Sequence, residues 1–108
     1  MSNKLLVLSE TLTAARILTE AEFKDYGVID LDCGGSARNV DLPAVTAAIT
    51  GSQVRIRNSS DGAETITLRL TSGGTTIATI DQNESALVYC EGSVAPTFVA
   101  VVLKVGAT

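Results

Sequence analysis

The sequence has no histidine and no tryptophan, and its 108 residues include only 2 cysteines and 2 prolines. Without histidine the chain lacks the commonest general base and the commonest metal ligand of proteins. Nucleophilic sites that pair serine or cysteine with histidine are therefore excluded within this chain. Two isolated cysteines cannot supply the roughly four ligands of a zinc site. We expect no catalytic residue, no metal ligand and no cofactor.

Charge and long hydrophobic runs are also scarce. The chain carries 8 basic and 12 acidic residues, and the basic residues form no cluster, so the electrostatic footprint of a nucleic-acid-binding surface is missing. The apolar run at residues 5–8 is shorter than the core of a secretory signal, which needs about seven residues, and far shorter than a membrane span. The sequence therefore predicts that neither nucleic acid nor a membrane is a partner. It also predicts synthesis in the cytoplasm.

The two cysteines, Cys33 and Cys90, lie too far apart in the sequence to form the disulfide framework of a small secreted domain. Each ends a stretch of alternating residues on the apolar side of the pattern. Neither cysteine has the basic neighbour in sequence that would activate a thiol. We expect both to be reduced, inward-facing core side chains.

Apolar residues, in contrast, are abundant. They make up 45% of the sequence, and the mean hydropathy is +0.30. The length fits a single domain, and such a composition is high for a small monomer that must keep most of its surface in water. Some of the apolar surface is therefore expected to contact another chain.

Most of the chain alternates between apolar and polar residues, which is typical of β-strands with one buried face. The clearest segments are GVIDLDC (27–33), QVRIRN (53–58) and ETITLRL (64–70). Glycine-containing turns separate the strands, and we expect Gly34–Gly35, Asp61–Gly62 and Gly73–Gly74 to reverse the chain between neighbours. The sequence predicts an all-β fold, a small antiparallel β-sandwich or jelly-roll-like barrel.

The N-terminal part is less regular. Residues 1–10 predict an extended arm or a first strand, and residues 11–108 a single β-domain. Thr19 and Glu22 have the spacing of a helix capping box, so one short helical turn is expected, with Gly27 as its stop. Four consecutive apolar residues of the arm need cover on more than one side, and they are the candidate contact with a larger partner: Leu5, Leu6, Val7 and Leu8.

The last strand, within TFVAVVLKV (97–105), is apolar on both of its faces. Both faces must be covered, and a neighbouring subunit is the favoured cover for one of them. The alternative is that this strand lies at the centre of a closed sandwich. The candidate subunit contact is Phe98, Ala100 and Val102, with Val99, Val101 and Leu103 on the other face.

Two features could be mistaken for chemical sites. Asp30 and Asp32 share one face of a strand, about 7 Å apart, but a solvated strand face gives the same pattern. The Gly34–Gly35 pair could cradle a phosphate, but it lacks the lysine and the strand-to-helix context of such loops. We favour a solvated face and a turn.

Three segments together resemble a small β-domain of tailed-bacteriophage virions, found in capsid decoration (cement) proteins and at the ends of tail-fibre and appendage subunits. They are LTAARILTEAEFKDYGVIDLDCGGSARNVDLPA, GSQVRIRNSSDGAETITLRL and ESALVYCEGS. The resemblance spans roughly residues 11–103. The matching positions are Asp32, Gly34–Gly35, Leu42–Pro43, 51–58, 65–76 and Glu91–Gly92. Where that family often places a tryptophan after the last glycine turn, the nearest aromatic here is Phe98.

The resemblance implies a homotrimeric virion component without catalytic residues. A chain of this length favours a capsid decoration protein over a tail-fibre tip. Such a protein would lie on the capsid exterior after synthesis in the cytoplasm of a bacterial host, and it would bridge neighbouring major capsid proteins. The alternative is an appendage domain that binds a receptor or a glycan.

Overall fold

The computed structural model describes residues 6–70, 74–92 and 97–103. Within these ranges the chain forms nine strands and one short helix, so the predicted predominance of β-structure is confirmed. In chain order the elements are β1 (Leu6–Thr11), β2 (Arg16–Ile17), α1 (Glu20–Asp25), β3 (Tyr26–Asp32), β4 (Arg38–Asp41), β5 (Gln53–Asn58), β6 (Ile66–Arg69), β7 (Thr76–Ile80), β8 (Ser85–Cys90) and β9 (Phe98–Leu103). No helix in the described residues has the length and apolar character needed to cross a membrane.

The strands form two mixed sheets. The larger sheet has the order β1-β3-β5-β8-β9, and the smaller has the order β2-β4-β6-β7. Up to β6 the chain alternates between the sheets, so successive strands within each sheet are parallel. After β6 the pairings become antiparallel, at β6–β7, β5–β8 and β8–β9.

The predicted wholly antiparallel topology is therefore wrong, and neither sheet closes into a barrel within the described residues. Gly34 and Gly35 adopt the positive φ expected of a glycine turn, at 73° and 103°, but they carry the chain from β3 to the other sheet. The Asp61–Gly62 segment likewise connects β5 to a strand of the other sheet. The reason is that a period of two shows which side chains are buried and gives no information about which strand is the neighbour.

The third predicted reversal does join neighbouring strands. β6 and β7 pair in antiparallel orientation, and the Leu70 N–H donates to the Thr75 carbonyl at 2.9 Å. Of the predicted turn pair, Gly73 lies outside the described residues.

One hydrophobic core contains side chains from strands of both sheets. The three inner strands of the larger sheet, β3, β5 and β8, all contribute to it. In β5 the side chains alternate between exposed and buried along the whole strand, as predicted. Phe23 of α1 packs edge-on against Phe98 of β9, with ring centroids 5.5 Å apart. Both predicted core cysteines, Cys33 and Cys90, are fully buried and free.

Helix α1 begins with the predicted capping box. The Glu22 N–H donates to Thr19 Oγ1 at 3.1 Å, and the Thr19 N–H donates to Glu22 Oε1 at 2.9 Å. The helix ends at Asp25, earlier than the predicted stop at Gly27, because Tyr26 is already extended and begins β3. The chain therefore passes directly from the helix into the larger sheet at Tyr26.

A buried asparagine at the end of β5 connects several crossings between the sheets. Asn58 Nδ2 donates to the Glu64 carbonyl at 2.8 Å and to the Ile80 carbonyl at 2.9 Å. Its Oδ1 accepts from both the N–H and the hydroxyl of Ser60, and Ser60 Oγ accepts from the Cys33 N–H at 2.9 Å. The side chain of Asn58 is fully buried, so these bonds satisfy polar groups that water does not reach.

Replacing Asn58 with alanine is expected to lower the free energy of unfolding by about 3 kcal/mol, because it leaves buried carbonyl and hydroxyl groups without partners. Urea denaturation followed by circular dichroism measures the loss. The control is Asn39→Ala in β4, where the side chain is exposed and the expected change is within about 0.5 kcal/mol. Equal effects of the two substitutions would contradict the role of Asn58.

Candidate functional site

Exposed apolar side chains are concentrated on the larger sheet. Among the described residues, seven large hydrophobic side chains are exposed, and Ile17 of β2 is the one that lies outside that sheet. The other six lie on β1, β8 and β9: Leu6, Val7, Tyr89, Val99, Val101 and Leu103. These strands include both edges of the sheet, so the apolar surface lies at its two ends.

The side chains of the predicted subunit contact of β9 face the protein's own core. Phe98 is only 6% exposed, and Ala100 and Val102 pack against the protein's own core. The side chains that face outward are those of Val99, Val101 and Leu103. Because β9 is apolar on both faces, the pattern could not indicate which face meets the core.

On the outer face, β8 extends the apolar surface of β9. Tyr89 lies opposite Val99, and Leu87 lies opposite Val101. Leu87 is half-buried and Tyr89 is exposed. We call the five residues Leu87, Tyr89, Val99, Val101 and Leu103 the β8–β9 patch.

The predicted contact in the N-terminal arm is placed within a strand. Leu5 lies outside the described residues, whereas Leu6 to Leu8 belong to β1, which pairs with β3 along its length. Leu6 and Val7 are exposed, while Leu8 is half-buried and packs against the core. Two of the three described side chains are therefore available to a partner.

Between the two apolar ends, the outer face of the larger sheet is ionic. Arg55 and Arg57 project from β5, and Arg57 lies opposite Asp30 on β3. Arg57 Nη1 lies 3.4 Å from Asp30 Oδ2. Both acidic side chains predicted to form a solvated face are half-buried: Asp30 takes part in this ion pair, and Asp32 accepts from the Gly34 N–H.

A polar cleft lies near the carboxyl ends of β1 and β3. Its volume is about 290 Å³, and it is lined by hydroxyl and carboxylate side chains: Ser9, Glu10, Thr11, Asp30, Asp32 and Ser59. One oxygen of Asp30, Oδ1, is buried and has no hydrogen-bond partner among the described residues. The cleft is therefore acidic and suited to a cationic group.

Three carboxylates close to this cleft could hold a cation. Oxygen atoms of Asp32, Asp61 and Glu64 lie within 4.8 Å of one another, and such oxygens are ligands of hard cations. Two of these side chains already accept backbone bonds in the turn after β3, Asp32 from the Gly34 N–H at 2.9 Å and Glu64 from the Gly35 N–H at 3.3 Å. Sequence reasoning missed this cluster, because Asp61 and Glu64 come from a different crossing.

An arginine links the first strands to the helix, which sequence reasoning also missed. Arg16 of β2 binds both oxygens of Glu10, at 3.0 and 3.1 Å, and binds Glu22 of α1 at 2.9 Å. Hydrogen bonding to Arg16 lowers the pKa of Glu22. The arginine thereby fixes β1 relative to the core.

Asp41, which belongs to a second charged pair, and Cys90 are both buried. Asp41 is buried, and its two oxygens accept from Arg69 Nε and Nη2 at 2.8 and 3.1 Å. Burial raises the pKa of the Cys90 thiol, which favours the unreactive protonated form.

Comparisons with protein-family models, with curated proteins and with solved structures find no match to this chain.

Substituting Glu22 with glutamine is expected to lower stability at pH 7 by about 1 kcal/mol, since a charge-assisted contact with Arg16 is lost while the amide oxygen can still cap the helix. The pKa of Glu22 is lowered in the folded state, so the ionised carboxylate stabilises the fold. This stabilisation is fully present above the unfolded pKa of about 4.3 and is lost as the pH falls through the folded pKa. Thermal unfolding between pH 7 and pH 3 should therefore show a smaller acid-induced loss in the variant. Glu20→Gln, an exposed position in the same helical turn, is the matched control, and its stability at pH 7 should stay within about 0.5 kcal/mol of the wild type. A Glu22→Gln profile parallel to that of the wild type would contradict the contact's role.

Proposed function

We propose that this protein is a structural virion protein, a capsid decoration (cement) protein. It forms a homotrimer on the capsid exterior and stabilises the shell by bridging major capsid proteins. The observation that carries the proposal is the concentration of exposed apolar side chains at the two ends of the larger sheet.

The physical support is the cost of leaving such a surface in water. Burial of apolar surface contributes about 25 cal/mol per Å², and contiguous exposed patches mark binding surfaces for other proteins. The side chains of the β8–β9 patch are neighbours on paired strands, so one partner surface can cover them together. Repeated around a shell, contacts of this kind resist expansion through avidity.

The polar groups support a binding role over a catalytic one. Asn58, Arg16 and the Asp41–Arg69 pair all make hydrogen bonds that hold strands together. The proposal accordingly assigns no cofactor, nucleic acid or membrane to the protein. The packing of the two mixed sheets as a sandwich is part of the same proposal.

The alternative, a tail-fibre or appendage domain that binds a glycan, has less support. Sugar recognition usually needs an exposed aromatic ring beside hydrogen-bonding groups, and the residues that line the polar cleft include no aromatic. Tyr89 is the exposed aromatic of the described residues, and it belongs to the apolar β8–β9 patch.

A Val101→Glu substitution should weaken binding to empty capsids at least tenfold, about 1.4 kcal/mol, because it places a charge in a surface that must lose its water. Ile17→Glu is the matched control, since Ile17 is 57% exposed and Val101 is 54% exposed, but Ile17 lies on the smaller sheet. Co-sedimentation of the variants with capsids measures the affinity. Undiminished binding by Val101→Glu, or an equal loss in both variants, would contradict the proposal.

A further inference from the structure

The two edge strands of the larger sheet have the geometry to pair with each other in different copies of the chain. We propose that β9 of one copy pairs in parallel with β1 of the next copy and so extends the larger sheet across the subunit boundary. This inference deepens the proposed homotrimer, because it names the elements that join its subunits.

The strand directions permit such a junction. β1, β3 and β5 are parallel, and β8 and β9 each reverse direction once, so β9 runs in the same direction as β1. Rotation about an axis along the strands preserves this direction. A head-to-tail junction between rotated copies is therefore parallel, and both edge strands have six residues.

The hydrogen bonds of β9 show which of its backbone groups are free. The Glu91 N–H donates to the Thr97 carbonyl, and bonded pairs recur at every second residue of an antiparallel ladder. Val99, Val101 and Leu103 therefore direct their backbone groups toward β8. Phe98, Ala100 and Val102 have inward side chains, but their N–H and C=O groups face the open edge.

The edge of β1 is complementary. The Leu12 N–H donates to the Asp32 carbonyl, so every second residue of β1 forms its backbone hydrogen bonds with β3. The residues between them, Val7, Ser9 and Thr11, direct their backbone groups to the open edge. Their side chains point outward. In a parallel ladder one strand bonds through residues with inward side chains and its neighbour through residues with outward side chains, as β3 and β5 do here with Leu31 and Ser59. β9 and β1 fulfil this requirement when the outer faces of two copies are continuous.

Strand β9 carries none of the features that usually prevent pairing, and the one charge of β1 is held in an ion pair. Natural edge strands are protected by proline, lysine or inward-pointing charge. β9 contains no charged residue and no proline. β1 contains one charge, Glu10, which is bonded to Arg16. In the part of the chain that the structure describes, both edges lack a strand partner on their outer side.

A second copy is the occupant that fits both edges. Its β1 offers a strand of the same direction as β9, and the backbone groups at the two edges have the side-chain parity that a parallel ladder requires.

The junction also unites the exposed apolar surface. The outward side chain of Val7 in one copy comes next to Val99, Val101 and Leu103 of the other. The two ends of the larger sheet then form one apolar surface, larger than either alone.

Two proline variants test the junction. Ala100→Pro removes an N–H from the open edge of β9 and keeps the bonds to β8, and Ser9→Pro does the same at the open edge of β1. Sedimentation equilibrium should show the wild type as a trimer and each variant alone as a monomer of 11.2 kDa. Circular dichroism checks that each variant is folded.

Mixing the variants distinguishes this junction from any symmetric one. Ala100→Pro retains a competent β1, and Ser9→Pro retains a competent β9, so an equimolar mixture should form a two-chain complex and nothing larger. A Ser9→Pro dimer, an Ala100→Pro trimer, a monomeric wild type or the absence of a complex in the mixture would each overturn the proposal. If a variant does not fold, hydrogen exchange of the wild-type amides tests the junction instead. The Ser9 and Ala100 amides should be protected at high protein concentration and should exchange rapidly on dilution. Rapid exchange at all concentrations would overturn the proposed junction.

Failure of the junction and failure of the proposed function give different results. Loss of capsid binding in Val101→Glu with an Ala100→Pro variant that stays trimeric supports the decoration role and overturns the junction. A confirmed junction in a protein that does not bind capsids supports the junction and overturns the decoration role.

Discussion

The buried side chain of Asn58 is the interaction on which the alternation between the two sheets depends. The chain leaves the end of one sheet and enters the other several times, and at each crossing backbone groups lose their ladder partners. Asn58 and Ser60 supply those partners for the crossings that follow β3, β5 and β7. An apolar side chain of the same size would fill the space and leave these groups unsatisfied. One amide therefore specifies how the crossings stack.

The sequence was sufficient to locate most strands and the helix. Strand β5 has the bounds expected from its alternation, and the Thr19–Glu22 cap forms as its spacing indicates. These features depend on neighbours within a few residues. Strand partners were not predictable, because Gly34–Gly35 satisfies the local requirements of a hairpin and of a crossing equally well. The two-residue strand β2 has no periodic pattern long enough to detect.

For the candidate site, too, local patterns were predictable and long-range contacts were not. Composition and the final apolar strand predicted that the protein buries surface against another chain, whereas the side chains chosen for that surface, Phe98, Ala100 and Val102, pack against the protein's own core. A strand that is apolar on both faces contains no information about which face is inward. That choice is made by Phe23, which lies 75 residues earlier and packs on Phe98. The cluster of Asp32, Asp61 and Glu64 likewise exists only because separate crossings meet.

The contact between Phe23 and Phe98 has a consequence for the order of folding. Phe23 follows the first two strands, and its ring is fully buried partly by an aromatic side chain from the last described strand. Until Phe98 has left the ribosome, α1 lacks one wall of its binding site and the edge of β8 is unpaired. Such long-range contacts slow folding and prolong the exposure of apolar strands. The nascent chain therefore completes its core late. During synthesis it exposes more apolar surface to a chaperone than the folded protein does.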